Sequence, residues 1–272
     1  MNFQKIGHMK NLAFIAAVCA VCLDAVECVA AEKSSNSEKT IGYAVKQNYT
    51  ALDISGCIEA SFSETSDSVY VIADKSVVGY VKVERKGPGL FLSFKGPEKF
   101  RCGDYGKVTV VLPYNPEVDR IYLSGSSSFV SKTVIKSGTV YVETSGASDF
   151  RSSICADKVC LEASGASRIS GKIAASFLDV ELTGASGAEL CGKADVCVLS
   201  ISGASSLNGA DGSLIETDTA VCDLSGTGRA SLICNRSISG KVSGASSLRY
   251  IGDAEEELRE RGVASVRRNK SM

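Results

Sequence analysis

From residue 121 to residue 252 the chain alternates apolar and polar positions in short runs, and each run ends near a glycine. Counting back from those glycines, positions two, four and six are apolar or small: Val140, Val142 and Thr144; Val159, Leu161 and Ala163; Leu178, Val180 and Leu182; Cys197, Leu199 and Ile201; Ala220, Cys222 and Leu224. A period of two is the mark of a strand with one buried face. The alternation resumes four residues after each glycine, at Phe150, Ile169, Ala188, Leu207, Ala230 and Leu248. This predicts a second strand face meeting the first at a corner, where glycine permits a backbone shape or close approach that a side chain would obstruct.

The glycines themselves are periodic. Gly146, Gly165, Gly184 and Gly203 stand 19 residues apart, and Gly125, Gly226 and Gly244 extend the series to seven similar units. A period near 20 specifies a solenoid, in which one rung buries little alone and the stack supplies the core. The predicted fold is all-β, a single-stranded right-handed parallel β-helix with coils of about 19 residues, the hand following from the preference of parallel connections in L-chains. The step from Gly203 to Gly226 is 23 residues, so four extra residues around 209–213 are expected to bulge as a loop that can shape a binding surface.

Flanking segments complete the layout. Residues 41–123 are less regular but strand-like, with runs at 51–56, 69–73, 80–84, 90–95 and 107–112 and prolines at the turns. The phrase Ile-Ser-Gly at 54–56 favours wider first coils of one continuous stack, 41–252, over a separate domain. Residues 253–272 are expected to close the open end, either as a helix-like cap at 254–261 or as a last strand at 263–266. At the other end, residues 1–31 combine Lys5 and Lys10, a 12-residue apolar run and a small-residue tail, which reads as a secretory signal. That run is too short to span a bilayer as a helix. Cys19, Cys22 and Cys28 raise a lipoprotein alternative, although none follows the usual lipidation pattern closely. Residues 32–40 are polar and serine-rich and suit a flexible lead. The expected location is outside the cytoplasm: periplasm, outer-membrane-associated or extracellular.

Composition narrows the chemistry. The formal net charge is -1, so nothing attracts nucleic acid. The one histidine is His8 inside the signal, which removes histidine as a base or metal ligand from the exported chain, and the absence of tryptophan removes the strongest sugar-stacking ring. No phosphate-binding loop or dinucleotide fingerprint occurs. Eight cysteines follow the signal, and an even number in an exported chain favours disulfides. Against this, Cys197 and Cys222 occupy columns that Val and Leu fill elsewhere, as free core thiols do. Stacked hydroxyls form two columns, one through Ser145, Ser164 and Thr183, the other through Ser148, Ser167, Ser186 and Ser205, with a structural role expected for both. One outward column is unusual: Glu143, Glu162 and Glu181 each precede their glycine by three residues. Unit charges one rung apart repel by about 1 kcal/mol in water. The column is therefore either a solvated surface strip, a weak calcium site, or a pair of acids placed for sugar hydrolysis.

The phrases "ETSGASDF", "EASGASRI", "ELTGASGAEL", "SISGASSL" and "KVSGASSL", with "YTALDISGCIEASF" and "VTVVLPYNPEVDRIYLSGSSSF" before them, resemble the putative auto-transporter adhesin head domain, or head GIN domain, of exported Bacteroidetes proteins. The resemblance covers about residues 41–268 and implies a right-handed β-helix. It carries over no catalytic or ligand-binding residue, and no membrane-spanning barrel follows the repeats. At 225–228 the chain departs to Ser-Gly-Thr-Gly, which interrupts the second hydroxyl column. The leading expectation is a non-enzymatic binding module of the cell envelope or exterior, its partner a glycan or an envelope or extracellular protein. A scaffold without a discrete ligand and a carbohydrate lyase or hydrolase are the alternatives.

Overall fold

The alternating positions become two walls of a β-solenoid of about eight turns, with parallel coils about 19 residues apart. The structure is a computed structural model that describes residues 27–29, 38–46, 48–96, 101–102 and 106–269. On the first wall, Ile135–Thr144 pairs in parallel with Ile154–Ala163, which pairs with Arg168–Leu182, then Gly187–Ile201, Ile215–Leu224 and Arg229–Gly244. The register is in step, with Val142 opposite Leu161, Leu161 opposite Val180, Val180 opposite Leu199, and Leu199 opposite Cys222. All five are buried. On the second wall, Phe129, Phe150, Ile169, Ala188 and Leu207 stack likewise, and the first two rings lie nearly parallel with centroids 5.7 Å apart.

The corner glycines explain the fixed period. Gly165 has φ +71, and a Cβ built on it would lie 2.7 Å from the carbonyl oxygen of Gly146 in the preceding rung. That oxygen accepts the Ala166 N–H at 2.7 Å, so the corner backbones are hydrogen-bonded in direct contact. No side chain fits between them. The second hydroxyl column supports the same corner from inside: Ser148, Ser167 and Ser246 donate to the carbonyls of Ser145, Ser164 and Ser243 at 2.7, 2.8 and 2.8 Å. These hydroxyls are buried and satisfied, as buried polar groups must be. At the interruption, Gly228 substitutes its own backbone N–H, which reaches Ser225 O at 3.3 Å.

The earlier region joins the same stack in a different manner from simple wide coils. Ala51–Gly56 inserts between Gly89–Phe94 and Arg120–Gly125, parallel to both, while Ile58–Ser63 inserts between Val108–Pro113 and Ser128–Val130. Antiparallel strands flank these: Val81–Lys86 folds back on Gly89–Phe94, and Val69–Asp74 pairs with both Glu38–Ala44 and Val108–Pro113. The lead is thus shorter than expected, since residues 38–40 already belong to a strand. The export signal, 1–31, lies outside the described residues except for Glu27–Val29, a short strand antiparallel to residues 42–44.

The helix-like reading of 254–261 is overturned. Glu255–Gly262 is a strand parallel to the preceding rung, followed by the strand Ser265–Asn269. Helix propensity in this Glu- and Arg-rich segment yields to the open edge of residues 237–244, and Gly262 adopts φ +87 as one more corner. The end is closed by charge instead of a helix. Glu256 and Glu260 occupy the register positions of buried Ile238 and Val242, and the buried Tyr250 donates its hydroxyl to Glu256 at 2.5 Å. Inward-pointing charges of this kind discourage further edge pairing.

The cysteines divide. Cys57 and Cys102 form a disulfide with Cα atoms 5.8 Å apart, tying the first corner to the segment before Val108–Pro113. Cys155, Cys160, Cys191, Cys197, Cys222 and Cys234 are free. Cys197, Cys222 and Cys234 are completely buried, and burial pushes the Cys197 thiol up to about 12 and Cys222 well above its ordinary value.

Candidate site on the outward face of the first wall

Strand insertion brings together residues that are far apart in sequence. Across the outward side of the first wall, one row runs Glu84, Phe91, Asp53, Tyr122, Glu143, Glu162 and Glu181, each opposite the next in register. With strands about 4.8 Å apart, Asp53 stands midway between two rings separated by about 9 to 10 Å. The neighbouring row holds hydroxyls and a cation: Lys82, Ser93, Ser55 and Ser124. On the other side Arg120 stands opposite Tyr141, its guanidinium carbon 5.7 Å from the ring centroid. Tyr122 and Tyr141 are 36% and 38% exposed, so two ring faces here are open to solvent.

The three glutamates are placed as the spacing predicted. Glu143 pairs with Glu162, Glu162 with Glu181, and all three are exposed along a shallow depression of about 110 Å³ that includes Thr183. Burial, then the charges of Glu143, Glu181 and Asp179, raise the Glu162 carboxyl above the usual carboxylate range. Among the described residues no group of three or more His, Cys, Asp or Glu side chains is placed to hold a metal ion. The column's physical signature is accumulated negative charge.

A second depression, about 340 Å³, lies at the start of the row, lined by Asp53, Ser55, Lys82, Glu84, Phe91 and Lys95 among others. Here Lys86 bonds Glu84 at 2.5 Å and stands 5.6 Å from the Phe91 ring centroid. Burial raises the Asp53 carboxyl above its ordinary value. A carboxylate accepts hydrogen bonds through two oxygens, hydroxyls both donate and accept, and aromatic faces cover apolar patches. Rings, acids and hydroxyls alternating along one open face can therefore hold a hydroxyl-rich ligand without enclosing it.

The sequence singled out the glutamates but not Asp53, Phe91 or the lysines. One signal was present: aligning Gly56 with Gly125 puts Asp53 and Tyr122 three residues before a glycine, in the glutamate column. Phe91 has no such marker, because its place depends on the insertion of Ala51–Gly56 between later strands.

The expected loop is also present. Residues 209–214 leave the coil, with Asp211 at φ 50 and Gly212 at φ 74 forming a tight turn closed by Ser213 N–H to Ala210 O at 2.9 Å. Leu214 from this loop, with Ile173, Ile233 and Ile251, lines a groove of about 850 Å³ that is separate from the aromatic and acidic face.

Comparison with known proteins places this architecture. A family model described as "Putative auto-transporter adhesin, head GIN domain" matches residues 48–254. No curated protein matches the chain. Among solved structures, a putative adhesin from Parabacteroides distasonis ATCC 8503 is similar with a TM-score of 0.73 and 20% identity, over 86% of this chain and 96% of that one. A protein of the same organism described as a putative lipid binding protein has a TM-score of 0.71 and 16% identity, over 86% and 97%. A putative adhesin from Parabacteroides merdae ATCC 43184 has a TM-score of 0.66 and 16% identity, over 88% and 100%. At these identities the likeness concerns the fold.

Proposed function

Because the chain belongs to the putative auto-transporter adhesin head GIN domain family, we propose that it is a non-enzymatic, exported binding module whose outward first wall engages a glycan. The observation that carries this reading is the row in which Phe91, Asp53, Tyr122, Glu143, Glu162 and Glu181 follow one another in register on one solvent-facing surface. A flat surface of serine and threonine alone would have favoured a scaffold. An open face also suits binding better than turnover, because its acids line a shallow depression instead of a water-excluding site. The adhesin-like family supports an exported or surface location. A glycan reading further suits the pairing of ring faces with hydroxyl-accepting carboxylates.

The test is a glycan array probed with the purified protein. The reading expects retention on at least one glycan class, lost in Tyr122→Ala and kept in Arg249→Ala on the second wall. Absence of binding to every glycan, or retention unaffected by Tyr122→Ala, would refute it and leave a protein partner or a scaffold.

A further inference from the structure

The first depression of the face has a charge character opposite to that of the glutamate column. Three lysines reach it, Lys82, Lys86 and Lys95, against two acids, Asp53 and Glu84. Lys86 and Glu84 neutralise each other. Neither Lys82 nor Lys95 has an ion-pair partner among the described residues. Three ammonium groups against two carboxylates leave the depression with net positive charge beside an aromatic floor.

Its layout has two rows. Lys82, Ser93 and Ser55 stand opposite one another on successive strands, giving an ammonium with two hydroxyls in line. Two residues along the same strands lie Phe91 and Asp53, a ring beside a hydrogen-bond acceptor. Positions two apart along a strand are separated by about 6.5 to 7 Å. One row therefore matches a negatively charged substituent and the other matches the ring face and hydroxyls of the same sugar. Point-charge ammonium groups and hydroxyl donors suit a carboxylate or a sulfate equally.

Resting on the glycan reading above, we propose that this depression selects an anionic sugar unit, a uronate or a sulfated pyranose, with Lys82 and Lys95 holding the charge and Phe91 and Asp53 holding the ring. The polymer then continues over Tyr122 toward the glutamates with uncharged units, because the acidic column repels further anions. The ligand is thus a glycan of low or alternating charge, not a uniformly anionic one.

Titration calorimetry with three short oligosaccharide probes tests this: a neutral galactan oligomer, the same oligomer with one sulfate, and one with a single terminal galacturonate. Both charged probes should bind about tenfold more tightly than the neutral one at low salt, and the preference should shrink at high salt. In the doubly substituted Lys82→Gln, Lys95→Gln protein the three affinities should converge on the neutral value, while Lys172→Gln, elsewhere on the coil, leaves the preference intact. Preference for only one charged probe narrows the class and supports the site. Equal binding of all probes by the native protein, or a preference that survives the double substitution, overturns the inference and leaves the glycan reading standing. Failure of every probe to bind, with no hit on the array, removes the glycan reading itself.

Discussion

Gly165→Ala adds one methyl group at a corner where the chain has no room for it. The new Cβ would lie 2.7 Å from Gly146 O, 3.1 Å from Gly146 N and 3.3 Å from its Cα, all backbone atoms of the rung before. Relief requires moving one rung against the next, and Gly146 O already holds the Ala166 N–H at 2.7 Å. The left-handed backbone alone costs alanine about 1 to 2 kcal/mol. A weakened corner hydrogen bond adds about 0.5 to 1.5 kcal/mol. Reduced freedom of the unfolded chain offsets about 0.4 to 1 kcal/mol. The expected net loss is about 0.5 to 3 kcal/mol, centred near 2, and the backbone contact adds to it. Gly138→Ala is the control, because its Cβ meets only Asp157 Oδ2 at 3.9 Å, and it should stay within about 0.5 kcal/mol of the native protein. Urea unfolding of the three proteins provides the comparison. If Gly165→Ala is no less stable than Gly138→Ala, the account of the corner is wrong.

Other expectations follow from the same geometry. Leu161→Ala should cost about 2 to 5 kcal/mol by urea unfolding, and a loss under about 0.5 kcal/mol would contradict its burial. Glu162 has a folded pKa raised above its unfolded value, so its ionisation penalty is absent at low pH and present above the folded pKa. Glu162→Gln should therefore be more stable than native at pH 7, by under about 1 kcal/mol given the exposure of the group, with the difference vanishing at about pH 4. A less stable variant at pH 7 would reverse the argument. Alkylation at pH 8 should modify exposed Cys155 in the folded protein and spare Cys197, whose thiol is pushed up to about 12 by burial, until urea unfolds the chain. Equal labelling rates would contradict the packing.

How much of this was legible in the sequence depends on whether a residue's neighbours are set by the repeat. Val142, Leu161, Val180, Leu199 and Cys222 could be placed because a fixed coil length puts them in one column, and the same count placed the three glutamates. Of the two readings of the tail, the helix-like one failed because 254–261 carries helix-forming residues while the open edge of the preceding rung decides its pairing, and the last-strand alternative at 263–266 falls beside the strand Ser265–Asn269. The first 80 or so residues of the stack were harder for another reason. Asp53 meets Phe91 and Tyr122 only because Ala51–Gly56 inserts between strands that come later in the chain, and local alternation does not encode strand order. The Cys57–Cys102 disulfide depends on the same insertion, whereas the free thiols at Cys197 and Cys222 were visible as substitutes for Val and Leu.

The central claim is that the outward first wall is the binding surface, and a crystal structure with an oligosaccharide from the glycan array tests it most directly. The account predicts sugar density lying across the strands, in contact with Phe91, Tyr122 and at least one carboxylate among Asp53, Glu143 and Glu162. Density in the groove beside Leu214, or on the second wall, with the first wall bare, would contradict it.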